Sequence, residues 1–324
     1  MRRFYLFFVS VLSLFFFTAC NSVSEIGNST SENTQEPARS SEKEETTNQT
    51  TSVEKAPNYQ EKTMSAGYLI YGQQVFLGED TEGLLTLDFI RTEKNNSKEE
   101  NLKQSLRESD ATSQKVLTEL ENVTIENKNE ANLTFTPEEK LSSMSSTEHT
   151  KFDEMLFQIS SLYGIEKIHF YVGDGAGISY GQSGTVTTMD VKANENRGYY
   201  LFPIEETDDP DYSYITGATA GEDIRDNTGE LLDFAETIEA MRSVKADNVV
   251  RKPSIDDRVK VHSAKVDENR AEVKYTIEDD QEKDWTKEDQ EQLEKVLQLT
   301  ALDFDVDELQ LVNEEEHTIT IFPL

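Results

Sequence analysis

Two stretches decide the fold. The first is Thr150-Lys-Phe-Asp-Glu-Met-Leu-Phe-Gln-Ile-Ser-Ser-Leu-Tyr-Gly-Ile-Glu-Lys-Ile-His-Phe-Tyr-Val172, and the second is Glu291-Gln-Leu-Glu-Lys-Val-Leu-Gln-Leu-Thr-Ala-Leu-Asp-Phe-Asp-Val-Asp-Glu-Leu-Gln-Leu-Val-Asn313. Laid side by side without a gap, Phe152, Met155, Leu156, Tyr163, Ile165, Ile168 and Phe170 fall on Leu293, Val296, Leu297, Phe304, Val306, Leu309 and Leu311. So many apolar matches at one offset mark an internal repeat, which must be recognised before any motif is trusted. Within the first copy, Phe152, Met155, Leu156, Ile159 and Leu162 recur on one face of a helix. Ser145 with Glu148 gives a capping-box start, and Gly164 a C-terminal stop. Thr286 with Asp289 is the weaker start signal of the second copy. After each helix, Ile168/Phe170/Val172 and Leu309/Leu311 alternate with polar residues, the period of a half-buried strand.

Working outward, Ala131-Asn-Leu-Thr-Phe-Thr136 matches Ala271-Glu-Val-Lys-Tyr-Thr276, and each follows a polar turn and an earlier strand, Val116 to Ile125 and Val259 to Val266. Each pair reads as a hairpin. Earlier still, Gly67-Tyr-Leu-Ile-Tyr71 matches Gly198-Tyr-Tyr-Leu-Phe202, with helices expected near Glu99–Glu108 and Leu231–Arg242. Phe234, Ile238 and Met241 share one face of the latter, whereas the former shows only Leu102 and Leu106. Each unit is therefore strand, helix, hairpin, helix, strand. The expectation is an α+β fold of two similar domains, 66–196 and 197–324, each packing helices on a mostly antiparallel sheet. The boundary falls near 193–197.

The chain has 324 residues, 31 Lys+Arg and 64 Asp+Glu, a net charge of −33. Such an acid excess argues against a nucleic-acid binder, which needs basic residues to neutralise phosphate, and against electrostatic docking on anionic lipid. The single cysteine excludes a disulfide framework and a Cys-rich metal site.

That cysteine is Cys20. Arg2 and Arg3 form a positive start, Phe4 to Phe17 is an uncharged apolar run too short to span a bilayer, and the small residues Thr18 and Ala19 precede Cys20. The stretch 1–19 resembles a bacterial lipoprotein signal peptide, with cleavage between Ala19 and Cys20, although Phe17 stands where Leu is usual. The resemblance implies diacylglycerol on the Cys20 thiol and an anchor on the extracytoplasmic face of the cell membrane. From 20 to about 65 the composition is Ser, Thr, Asn, Glu and Gln with no apolar period, so the segment reads as a disordered tether. About 45 flexible residues span roughly 35–40 Å on average.

The repeat resembles the sporulation and spore germination (GerM) domain family. Ala131–Thr136, the helix 148–163, Gly164-Ile-Glu-Lys-Ile-His-Phe-Tyr-Val172 and the turn Gly173-Asp-Gly-Ala-Gly177 carry it. The second copy departs from the pattern at Asp305, which replaces the turn glycine. The resemblance implies a tandem pair of non-catalytic modules, acting in envelope complexes during sporulation or germination, with no catalytic residues to carry over.

The remaining motifs carry weaker signals. His149, His169, His262 and His317 lack the spacing of a helix-borne zinc site. Gly173–Gly177 and the Gly181-Gln-Ser183-Gly184 segment read as turns rather than a phosphate loop or a nucleophile elbow. Asp303-Phe-Asp-Val-Asp307 with Glu314 hints at a calcium loop, but Glu308 stands where that loop needs Gly. Glu205-Glu-Thr-Asp-Asp-Pro-Asp211 reads as a solvated loop, with weak cation binding as its alternative. Trp285 reads as a staple at a helix start. No cofactor, metal or catalytic residue is implied. The expected role is assembly with envelope or membrane proteins, and the alternative is a small molecule or cation held in the cleft between the two repeats. An envelope hydrolase comes third.

Overall fold

The repeated block folds the same way twice. In chain order, β1 (Gln60–Thr63), β2 (Tyr68–Val75) and β3 (Leu84–Arg91) precede α1 (Lys98–Glu108), and β4 (Leu120–Glu126) and β5 (Glu130–Phe135) lead into α2 (Ser146–Leu162) and β6 (Lys167–Val172). Four short strands follow: β7 (Gly175–Ala176), β8 (Ile178–Ser179), β9 (Thr185–Val186) and β10 (Thr188–Asp190). The second half holds β11 (Tyr199–Pro203), β12 (Tyr212–Thr216), α3 (Gly217–Ala220), α4 (Phe234–Ala240), β13 (Val259–Asp267), β14 (Arg270–Ile277), α5 (Lys287–Leu302), β15 (Glu308–Asn313) and β16 (Thr318–Pro323). This computed structural model describes residues 58–324 apart from 77–82, 95, 182, 193–194, 206–210, 246–250, 279 and 281–283. All of these lie in one unit, Lys55–Leu324. The signal segment, Cys20 and most of the tether lie outside the described residues.

The equivalence of the halves extends to register. β5 runs parallel to β6 with Ala131 opposite Ile168 and Leu133 opposite Phe170; β14 runs parallel to β15 with Ala271 opposite Leu309 and Val273 opposite Leu311. Parallel neighbours need a crossover, and α2 and α5 supply it. Each preceding hairpin is antiparallel and carries one register shift, at Leu120/Asn122 and at Val261/Ser263. Both long helices start at full capping boxes, Ser145 with Glu148 and Thr286 with Asp289. Past their ends Gly164 stands at φ 67° and Asp305 at φ 51°. The left-handed conformation suits glycine, and aspartate is among the few other residues that tolerate it.

The sheets cross the sequence repeat. Hairpins β2–β3 and β11–β12, one from each half, join into a four-stranded sheet of order β11-β12-β3-β2, with Tyr214 opposite Leu87 at the seam. A five-stranded sheet, β1-β16-β15-β14-β13, belongs to the second half except for β1, which lies parallel to β16. The other large sheet orders β10-β6-β5-β4, with β7 beside β6. Arg91 ties these pieces together. Its guanidinium donates to Gln298 of α5 (Nε–Oε1 3.1 Å), to Ser65 O (2.8 Å) and to Pro323 O (2.7 Å), and it stands over the rings of Tyr68, Phe89 and Phe322. Burial lowers its pKa to about 10, so it remains a cation at neutral pH.

Three expectations need correction. The tether does not run to residue 65, because residues 60–63 form β1. Its side chains are all exposed, so main-chain pairing with β16 orders it without an apolar signal. The strand expected from Val116 begins at Leu120. Val116–Glu119 is a 3₁₀ turn, fixed by Leu117 N–H donating to the buried Asp110 carboxylate (2.7 Å) and Val116 N–H donating to Thr112 Oγ1 (3.1 Å). The helix expected over 231–242 is shorter, since Asp233 caps it and Leu231 instead bridges Arg225.

Candidate functional site

The residues singled out in the sequence do not gather at one place. His169 alternates with Ile168 and Phe170 on β6, and its ring bonds Glu130 Oε2 and Thr188 Oγ1, both at 3.1 Å. His262 meets Thr276 Oγ1 at 2.9 Å, and His317 lies against Tyr59. His149, in the first turn of α2, packs on the Tyr180 ring and lies 3.8 Å from Asp153, whose carboxylate accepts the Tyr180 hydroxyl at 2.6 Å. Gly181 lies beside the His149 ring, yet Ser183 is exposed and among the described residues engages through its N–H alone, which donates to Tyr180 O. Gly173–Gly177 closes the β6–β7 turn. Gly177 is required there, since at φ 97° a Cβ would stand 2.9 Å from Thr185 Cγ2.

Asp303–Asp307 does not close into a loop around a shared centre. Asp303 Oδ1 accepts from Tyr199 OH (2.8 Å) and Asn196 Nδ2 (3.0 Å), whereas Asp307 accepts from Asn269 (2.7 Å) and Glu308 pairs with Arg270 (2.6 Å). Among the described residues no group of three or more His, Cys, Asp or Glu is placed to hold a metal ion, and no helix is long and apolar enough to cross a membrane. Trp285 does staple the start of α5, by a polar bond: its indole N–H donates to Gln290 Oε1 (3.2 Å) while Arg258 stands over its ring. Residues 206–210 of the acidic loop, like Ala19 and Cys20, lie outside the described residues.

Asp303 sits at the joint between the halves. Gln158 of α2 donates to Asn196 (3.1 Å), Asn196 donates on to Asp303 at the end of α5, and Arg197 Nη1 donates to the Asp303 carbonyl (2.9 Å). The second carboxylate oxygen is buried with no hydrogen-bond partner among the described residues. Burial raises the Asp303 pKa to about 6, against the pull of Asn196, Tyr199 and Arg197.

A cleft of about 550 Å³ opens between the halves. Its first-half wall carries Lys98, at the start of α1, and Lys128, in the β4–β5 turn. Its second-half wall carries Asp305 and Asp307, and Leu162 and Leu302 line it from α2 and α5. Lys98 reaches solvent, but the protein crowding it lowers its pKa, opposed by the charges of Asp307 and Glu99. Gly164 lies on this wall at φ 67°, a conformation that favours glycine, and a Cβ there would make only an ordinary contact with Lys98 Nζ at 3.8 Å. Sequence reading passed over Lys98 and Lys128 because single lysines in a helix start and a turn carry no pattern.

No family model and no curated protein matches the chain. Among solved structures it is similar to the tandem GerMN domains of the sporulation protein GerM from Bacillus subtilis, at 14% identity and a TM-score of 0.41, over 78% of this chain and 93% of that one.

Proposed function

We propose that the chain is a lipid-anchored extracytoplasmic protein, held at the cell membrane through Cys20, whose paired α+β halves act by contact rather than catalysis. Its setting would be an envelope complex of sporulation or germination, as the sequence resemblance implies, and its partners envelope or membrane proteins. The observation that carries this reading is the face of the five-stranded sheet on which no helix packs among the described residues. Ala271, Val273 and Tyr275 of β14 are buried, and the alternate residues Glu272 and Lys274 point the other way. On that side Lys265 and Lys274 pair with Glu272 (3.4 and 3.8 Å) and Arg270 pairs with Glu308. Ile321, opposite Gln310 in register, and Ile319, opposite Val312, adjoin the charged array. A sheet face of mixed charge beside half-buried isoleucines suits protein contact, where a small apolar centre is ringed by polar groups.

The test is in-cell photo-crosslinking of the full chain. A photoreactive residue replaces Lys274 on this face or, as control, Lys287 at the start of α5. The expected result is a discrete adduct from position 274, diminished by Cys20→Ala and absent from position 287. No adduct at 274, or the same products from 287, would overturn the reading. The intact mass of the mature chain, read in parallel, checks the lipid on Cys20.

A further inference from the structure

The cleft between the halves sorts its charges by wall, and they face each other without direct contact. Lys98 and Lys128 stand on the first half, and Asp305 and Asp307 on the second, with Leu162 and Leu302 among the apolar side chains lining the space. Glu99, beside Lys98, is the exception to the sorting. Among the described residues neither lysine forms a hydrogen bond or an ion pair with any carboxylate, although ion pairs are frequent elsewhere on this surface. Among the described residues the Asp305 carboxylate likewise has no hydrogen-bond or ion-pair partner, and that of Asp307 accepts a hydrogen bond from Asn269. Opposite charges facing across a gap they do not close leave room for something between them. The volume, about 550 Å³, lies in the range that holds small ligands.

The choice among ligands follows from charge. A free anion would meet Lys98 and Lys128 but approach against the field of a chain with net charge −33. A simple cation would be drawn by that field but would be repelled by the two lysines. A molecule of no net charge, carrying one charge of each sign at its ends, meets neither barrier, and its apolar middle would lie on the leucines. We propose that this cleft binds a small zwitterion with an apolar body, an amino acid or dipeptide, its carboxylate toward Lys98 and Lys128 and its ammonium toward Asp305 and Asp307.

Calorimetric titration of the purified, detergent-solubilised full chain tests this with leucyl-leucine as the probe. N-acetyl-leucyl-leucine removes the ammonium charge, and leucyl-leucinamide removes the carboxylate. The expected result is saturable binding of the dipeptide and roughly tenfold weaker binding of each capped form. Lys98→Met should weaken the dipeptide and erase its advantage over the amide; Asp305→Asn should erase its advantage over the acetyl form. Both side chains are exposed, so the variants should fold, and unchanged circular dichroism checks this. Absence of saturable binding up to about 10 mM, capped forms binding as well as the dipeptide, or discrimination unaltered in both variants would each overturn the proposal. The crosslinking experiment on the open sheet face reads a different surface, so the two readings fail separately.

Discussion

Helices α1 and α4 stand against corresponding strands in the two halves and hold them with different chemistry. β2 is an edge of the four-stranded sheet, and α1 covers it with hydroxyls. Ile70 N–H donates to Ser105 Oγ (3.0 Å), Gly72 N–H donates to Ser109 Oγ (2.7 Å), and Ser105 Oγ also bonds Tyr163 OH (2.9 Å). β11 is the opposite edge, and there α4 presents Thr237, and its C-cap residue Met241 follows. Met241 Sδ takes the Tyr199 N–H at 3.3 Å, while the Thr237 hydroxyl is buried with no hydrogen-bond partner among the described residues. The rest of that edge is closed by main chain: Leu201 and Lys252 exchange hydrogen bonds (3.0 and 2.9 Å), and Ser254 Oγ donates to Tyr199 O. Both devices satisfy an edge that would otherwise be open to strand addition. The repeat keeps α1 on β4 and α2 and, likewise, α4 on β13 and α5, but α1 packs closely along β2 whereas α4 reaches β11 lightly, near Thr237 and Met241.

The largest expected effect lies in the second half, where the closing segment is pinned by an ion pair. Arg251 Nε donates to Glu222 Oε1 at 2.7 Å, and the two side chains are 0% and 2% exposed. Glu222 also accepts the Lys245 N–H. Glu222→Ala leaves the buried guanidinium without this carboxylate, which typically costs about 3–5 kcal/mol. Urea unfolding of the variant measures the loss. A loss below about 1 kcal/mol would mean that the main-chain bridge alone closes β11, and that the two edges are more alike than their side chains suggest.

The next effect is set by pH at Asp303. Its counterpart region in the first half ends in Tyr163, whose hydroxyl donates to Tyr68 O (3.0 Å); in the second half Phe304 has no hydroxyl and the buried bond runs from Tyr199 to Asp303 instead. Folded Asp303 keeps its proton up to about pH 6, while in the unfolded chain it ionises near pH 4. Between those values the folded state binds more protons, so this contribution to stability falls as pH rises through the window, by roughly 3 kcal/mol at most. Asp303→Asn can still accept from Tyr199 and Asn196 through its carbonyl and carries no charge. Relative to the parent, the variant should gain stability between pH 4.5 and 7.5 in parallel unfolding curves. A constant difference across that range would show that the carboxyl does not titrate there.

These contrasts also mark what the sequence disclosed. α2, α5 and the hairpins before them were legible because each buries one periodic face, and because Ser145–Glu148 and Thr286–Asp289 announce the helix starts. β1 was not, since Gln60–Thr63 buries no side chain and is held by backbone alone. The central sheet was not, because all five residues of β11 are buried, which removes the alternation that would give a face, and register between distant hairpins leaves no local mark. α1 looked weak because part of its buried face is polar. Its Ser105 reads as a solvated position until β2 is placed against it. The repeat leads to the expectation of a cleft that holds a small molecule or cation, but not to the residues that line it. Its lysines and aspartates come from a helix start, two turns and a strand approach, and nothing in their spacing joins them.

The smallest effect compares the two edge-covering helices directly. Ser105→Ala removes the acceptor of the Ile70 N–H and one partner of the Tyr163 hydroxyl, both buried, and should destabilise the fold by about 1–3 kcal/mol. Thr237→Val keeps the shape of the side chain and removes a buried hydroxyl that bonds nothing. It should therefore be neutral, or stabilising by up to about 1 kcal/mol. Thermal and urea unfolding of the two single variants and the double variant decide the matter. The helices lie against opposite edges of the sheet, so the effects should add. If Thr237→Val cost as much as Ser105→Ala, the Thr237 hydroxyl would be supporting β11 as Ser105 supports β2, and the halves would share one polar device rather than two.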